Sequence, residues 1–133
     1  MGVIQEIVFD CDKPPVLARF WAGILDGYDV RPYDEEEIDR LAALGLTPET
    51  DTTVMVDGPG PRLCFQNVDG RVSDNNRVHM DIEVDDRSGE VERLVEAGAT
   101  VDRVLPTYTV MRDPEGNQFC LVDPRIVQQM AAA

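Results

Sequence analysis

The sequence predicts an α+β fold built from two βαβββ modules, forming curved mixed sheets around a shared cleft, with an extra helix inserted in the first module. Three observations predict it. The order of strand and helix signals runs through the chain twice. Gln5 falls on His79 and Asp12 on Asp86 at an offset of 74, and Asp57, Gly60 and Cys64 fall on Asp113, Gly116 and Cys120 at an offset of 56. The two offsets differ by about the length of the acidic segment Asp34–Asp51, so an insertion reconciles them. With 133 residues the chain fits a single domain, 1–133, with module one at 1–70 and module two at 77–124.

Val3–Asp10 is apolar and β-rich, which reads as a strand. Asp12 is placed as a cap, with Pro14 and Pro15 where a first helical turn tolerates proline. Leu17, Phe20, Trp21, Ile24 and Leu25 form an i, i+3, i+4, i+7, i+8 stripe, and Gly27 ends that helix. The core is the expected place for Phe20 and Trp21. Asp34 with Glu35, Glu36 and Glu37 reads as a capped helix start, Ile38, Leu41 and Ala42 as its stripe, and Gly45 as its stop. Its acidic residues suit a solvated face and the helix dipole, or a rim that attracts a cation. Thr52–Val56 and Arg62–Val68 read as strands joined by the turn Asp57–Pro61. That turn is no phosphate loop, because no GK[ST] follows and proline removes an amide donor.

The second module opens on the strand Val78–Val84 after an Asp74-Asn75-Asn76 linker. Val91, Leu94 and Val95 mark a helix ending near Gly98. Thr100–Val104, Thr107–Arg112 and Gln118–Val122 read as strands, the last two joined by Asp113–Asn117, and the tail Gln128–Ala133 is expected to fray.

Composition narrows the function classes. A net charge of −14 argues against nucleic acid and against an anionic membrane surface. No stretch is apolar for the roughly 20 residues that span a bilayer. Three cysteines, an odd number, without a basic and apolar leader fit reduced thiols in a cytoplasm.

Strand alternation places His79, Asp81 and Glu83 on one face and Met80, Ile82 and Val84 on the helix side. By the same rule Arg62, Cys64 and Gln66 share a face, as do Gln118, Cys120 and Val122, and Ile7, Phe9 and Cys11 join Gln5. The expected ligand-binding set is Gln5, Phe9, Arg62, Gln66, Asp81 and Gln118, with Ile7 and Phe9 as an apolar wall. Glu83 beside His79 is a candidate general base for removing a proton next to a carbonyl, and Arg62 a candidate to hold an anionic oxygen. The competing reading pairs Arg62 with Asp81 or Glu83 and leaves His79 a neutral, hydrogen-bonded strand residue.

Arg77-Val78-His79-Met80-Asp81 and Arg112-Asp113-Pro114-Glu115-Gly116-Asn117-Gln118-Phe119-Cys120, set in the doubled βαβββ order, resemble the vicinal oxygen chelate superfamily of glyoxalases, bleomycin-resistance proteins and extradiol dioxygenases. Asn76-Arg77-Val78-His79 and Asn117-Gln118-Phe119-Cys120 look closest to its glyoxalase-like domain subgroup. The resemblance covers nearly the whole chain, least clearly at Pro32–Thr50. It implies that Gln5, Cys64, His79 and Cys120 stand at the positions that hold a divalent metal in metal-dependent relatives. Gln5 and His79 match the residue types used there; the two cysteines do not. Two readings follow: a zinc site on two thiolates and an imidazole, or, favoured here, two small core hydrophobes. An extradiol iron site needs two histidines, and the chain has one. The resemblance further implies a small-molecule ligand and a homodimer. The function is then that of a lyase or isomerase acting on a small carbonyl compound through His79 and Glu83, or of a non-catalytic binder that sequesters a cationic, antibiotic-like molecule.

Overall fold

The computed structural model describes residues 2–68 and 76–124. The expected Asp74-Asn75 linker and the Gln128–Ala133 tail lie outside them. The class is α+β: three helices and eight strands occur among the described residues, and the strands pair in mixed fashion, β5 with β8 in parallel and β2 with β3, β3 with β4, β6 with β7 and β7 with β8 antiparallel. Two compact units divide these residues, one of 7–68 and one of 2–6 with 76–124.

Within residues 7–68, the second half of β1 (Val3–Asp10) is followed by α1 (Pro14–Ile24), β2 (Asp29–Val30), α2 (Glu35–Ala43), β3 (Thr53–Asp57) and β4 (Arg62–Gln66), in the strand order β2-β3-β4-β1. The two-residue β2 carries no readable periodicity, yet it pairs with β3 through Asp29–Asp57 and Val30–Val56 and completes the βαβββ count. Helix α1 packs across β2, β3 and β4. Its core side is Leu17, Ala18, Trp21, Ala22 and Leu25 over Val54, Val56, Leu63 and Phe65. Phe20, expected in the core, and Ile24 of the same stripe are 58% and 57% exposed. Their stripe is wider than the surface the sheet offers, and small Ala18 and Ala22 bring the helix close on the other side. Asp12 is not the cap: Lys13 holds that position without a side-chain bond, and Pro14 and Pro15 remove two of the amides a cap would serve. Asp34 does cap α2, accepting from the Glu37 amide at 2.8 Å. The Asp57–Pro61 turn closes around Tyr28, which donates to the Pro61 carbonyl, and a Cβ on Gly58 would overlap the Tyr28 ring.

Within residues 2–6 and 76–124, β5 (Val78–Glu83), α3 (Arg87–Glu96), β6 (Thr100–Val104), β7 (Tyr108–Arg112) and β8 (Gln118–Val122) take the order β5-β8-β7-β6, with β1 beside β5. Asp86 caps α3 by accepting from Gly89, and Gly98, with φ of +113°, turns the chain out of the helix. The helix side of the sheet holds Val84, Ala99, Met111 and Leu121 with Ile82, Val91, Leu94 and Phe119. The opposite face holds Val110, Cys120 and Val122. The predicted phase of β5 and β8 is therefore the observed one.

Asp113 organises the β7–β8 turn. Its Oδ1 accepts from the amides of Glu115 and Asn117, both at 2.9 Å, and its Oδ2 from the Asn117 side chain at 3.0 Å. These donors, the Asn117 amide first, hold its carboxyl below the usual aspartate range. A depressed carboxyl contributes stability that is full above the ordinary value of about 4 and is lost as pH falls through the lowered one. The stability advantage of the wild type over Asp113→Asn is expected to hold above pH ~4 and to vanish in stronger acid. Urea unfolding at stepped pH checks it, and an advantage unchanged from neutral pH down to pH ~2 contradicts it.

Candidate functional site

The face of β5, β8 and β7 that turns away from α3 carries the His79, Asp81 and Cys120 cluster. Asp81 on β5, Cys120 on β8 and Val110 on β7 form one cross-strand row, and Glu83, Val122 and Tyr108 form the next. One end of this face is apolar, with Val110 and Val122 buried against Tyr108 and Leu105. The other end is polar. His79 Nε2 stands 3.3 Å from Asp81 Oδ1, with both side chains nearly buried, and Cys120 is 6% exposed. The ligating atoms of His79, Asp81 and Cys120 all lie within 4.8 Å of one another.

The set is one imidazole, one carboxylate and one thiol. A carboxylate at Nε2 orients the imidazole and leaves Nδ1 of the neutral ring as a proton acceptor. The same three donors fit a borderline cation. Bonds of about 2.0–2.3 Å put ligands of one Zn²⁺ roughly 3.3–3.8 Å apart, so modest side-chain rotation closes the group on a single ion. Asp81, expected only as a ligand contact, thus joins His79 and Cys120 as a metal-compatible donor. None of the three cysteines is in a disulfide.

The second half of the site is framed by hydrogen bonds from outside the face. Asn76 donates to the carbonyls of Val78 and Gln118 and accepts from the Gln118 amide at 2.8 Å, tying the start of β5 to the start of β8. At the far end Arg87 donates to Asp123 beyond β8 and to Thr109 on β7. His79 and Cys120 are therefore held from both ends of their strands.

Strand β1 departs from expectation. The Cys11 amide donates to the Gln66 carbonyl, as the Val84 amide does to Val122. Cys11 and Val84 stand 73 residues apart, and Gln66 and Val122 stand 56 apart. The β4/β8 offset of 56 holds, while the β1/β5 offset is 73, one less than the Gln5–His79 match implies. Because side chains alternate with period 2, that single step exchanges the faces. Ile7, Phe9 and Cys11 pack into the α1-side core, where Phe9 stacks on Phe65 at 4.9 Å and lies 5.5 Å from Trp21. Phe9 is thus a core residue, and the apolar wall of the His79 face comes instead from Tyr108, Val110 and Val122. Alternation puts Gln5 on the side of Ile7 and Phe9. The residue equivalent to His79 is Glu6, a carboxylate only 8% exposed, and the equivalent of Asp81 is Val8, 2% exposed. Nothing in the local sequence marks Glu6; only the backbone register of β1 identifies it. Burial, then Asp10 and Asp12, push the Cys11 thiol up and make it a poor nucleophile.

The other expected residues fall as follows. Cys64 is 3% exposed on β4, outside the α1-side core, opposite Met55 of β3. Gln66 donates its amide to Asp10 Oδ1 at 2.9 Å, and Arg62 begins β4, half-buried. Glu83 and Gln118 are half-buried on β5 and β8.

A family model described as the glyoxalase-like domain matches residues 6–122, almost the whole of this architecture. The chain belongs to the glyoxalase-like domain family. Through it the protein is a member of the glyoxalase/bleomycin resistance/dioxygenase superfamily, as the sequence resemblance implies. Solved structures share the glyoxalase-like fold at low identity. A superfamily member from Vibrio splendidus 12B01 is 13% identical, with 92% of this chain and 98% of that one covered and a TM-score of 0.53. A hypothetical protein from Bacillus halodurans C-125 is 9% identical over 92% and 94%, with a TM-score of 0.63. Methylmalonyl-CoA epimerase from Mycobacterium tuberculosis is 16% identical over 94% and 91%, with a TM-score of 0.50. No curated protein matches the chain. Among the described residues no helix is long and apolar enough to cross a membrane.

Proposed function

We propose that this glyoxalase-like protein binds a small carbonyl compound on the His79 face and acts on it as a lyase or isomerase. The convergence of His79, Asp81 and Cys120 within 4.8 Å carries the reading. Asp81 orients the imidazole, and Glu83, two residues along the same face, is the base that takes a proton from the carbon beside the carbonyl. Tyr108, Val110 and Val122 supply an apolar surface for the rest of the substrate. His79, Asp81 and Cys120 would hold a divalent metal, which when bound polarises the carbonyl oxygen. The fold of the mycobacterial epimerase, an isomerase by name, is compatible with this class without specifying the substrate. The assembly proposed with it is a homodimer, and the compartment a reducing cytoplasm.

A screen of tag-free protein against 2-oxoaldehydes with thiols and other small carbonyl compounds tests the reading. Turnover is expected, with Glu83→Gln slowing it by about 10²–10⁴-fold. Unchanged turnover in Glu83→Gln removes Glu83 from the base role. Zinc titration is expected to give one equivalent bound by the wild type and none by His79→Ala; zero stoichiometry in the wild type removes the metal. The net charge of −14 favours a second reading, sequestration of a cationic molecule without chemistry. Thermal stabilisation by cationic glycopeptides, with no carbonyl compound turned over, overturns the enzyme reading.

A further inference from the structure

A pocket lies wholly within residues 7–68 and shares no residue with the His79 face. It has a volume of about 390 Å³, within the range of small-molecule sites. The segment between β2 and β3 builds it. Tyr33, just before α2, donates to Asp51 Oδ2 at 2.7 Å, and Asp51 Oδ1 accepts from the Thr53 amide at 3.1 Å. This clasp closes the base of the inserted segment. Asp51 is 6% exposed, with a partner for each oxygen. Arg31, also on the wall, is committed to Asp57 by two bonds of 2.8 and 2.9 Å.

Two charged residues of the lining remain. Glu37 and Arg40 are one turn apart on α2, where opposite charges at i, i+3 ordinarily meet. Among the described residues neither side chain makes an ion pair or a hydrogen bond. Both act on the Tyr33 phenol. Burial and the Asp51 bond do most to push it up, Glu37 adds to this and Arg40 opposes it, and both residues line the pocket together with Tyr33. Leu44, Leu46 and Met55 add aliphatic surface to the wall, and Thr52 and Thr53 add polar groups. An anionic pole and a cationic pole side by side, with aliphatic surface beyond, match a ligand bearing an ammonium, a carboxylate and an apolar branch.

We propose that the pocket beneath α2 binds a small zwitterion with an aliphatic side chain, of the α-amino acid class, its carboxylate on Arg40 and its ammonium on Glu37. The apolar side chain lies on Leu44, Leu46 and Met55. Such a ligand satisfies both charges at once, whereas a simple anion leaves Glu37 facing it and a simple cation leaves Arg40. The site stands whether or not the His79 face is catalytic.

The test is a ¹H–¹⁵N NMR titration of the full chain with L-leucine. Saturable shifts are expected, confined to residues 31–55, with Arg40→Gln and Glu37→Gln each weakening affinity about 10-fold, a loss of about 1.4 kcal/mol. Both side chains are on the surface of α2, and retained dispersion of the spectra shows that the variants fold. Glycine, 4-methylpentanoate and isopentylamine, which lack the branch, the ammonium and the carboxylate in turn, are expected to bind more weakly than leucine. Absence of saturation at about 10 mM leucine overturns the proposal. So does equal binding by 4-methylpentanoate or by either variant.

Discussion

Phe65→Ala is expected to lower the unfolding free energy by about 3–5 kcal/mol. Phe65 has no exposed surface and sits in β4 between Phe9, stacked at 4.9 Å, and the underside of α1. Burying a ring of this kind contributes roughly 2–3 kcal/mol by area transfer, and the cavity left by truncation adds the remainder because neighbouring β-branched Val54 and Val56 have few rotamers with which to fill it. Urea unfolding measures the effect as a shifted midpoint at unchanged slope. Phe20→Ala is the control. Its ring is as large, but it is 58% exposed, so a change within about 0.5 kcal/mol is expected. Equal losses in the two variants contradict the assignment of the core side of α1.

Arg87→Ala is expected to cost roughly 2–4 kcal/mol, somewhat below the figure for a fully buried pair because Arg87 and Asp123 keep about a sixth of their side-chain surface in water. The guanidinium donates to Asp123, Thr109 and the carbonyls of Leu105 and Pro106 at 2.7–2.9 Å. Removing it takes a charge-assisted donor from the Asp123 carboxylate and a donor from each of two carbonyls. Arg87→Lys is expected to recover only a minor part, since one ammonium cannot address acceptors on three segments at once. The effect reaches the site, because Asp123 follows β8 and Thr109 precedes Val110. Arg87→Ala is therefore also expected to broaden the amide signals of Cys120 and Val110. Stability unchanged to within 0.5 kcal/mol contradicts the role of Arg87 as the clamp of these strands.

Much of the His79 face is legible in the amino-acid sequence. Alternation along Val78–Glu83 and Gln118–Val122 sets Asp81 with His79 and Cys120 with Gln118, because a strand half-buried against a helix tolerates only one phase of its apolar residues. Strand β1 shows where such reading ends. Its odd and even residues are nearly equally apolar, Ile7 and Phe9 against Ile4 and Val8, so periodicity cannot choose the phase, and the match of Gln5 to His79 chooses it one residue out. That match puts Phe9 against the ligand and passes over Glu6. Strand β2, two residues long, is too short for any periodic signal and exists only by pairing with β3.

The doubled βαβββ order follows from the chain alone, because turn residues and amphipathic stripes act over a few positions and recur wherever the same unit is built, while the family is legible only as a resemblance carried by Arg77–Asp81 and Arg112–Cys120. Three things are decided only by the tertiary structure: the register of β1, the cross-strand register that sets Asp81 opposite Cys120, and the pocket beneath α2. Each depends on which backbone amide finds which carbonyl across strands far apart in sequence. That choice is made by packing over the whole unit, and a one-residue step costs a local pattern nothing while moving every side chain of a strand to its other face.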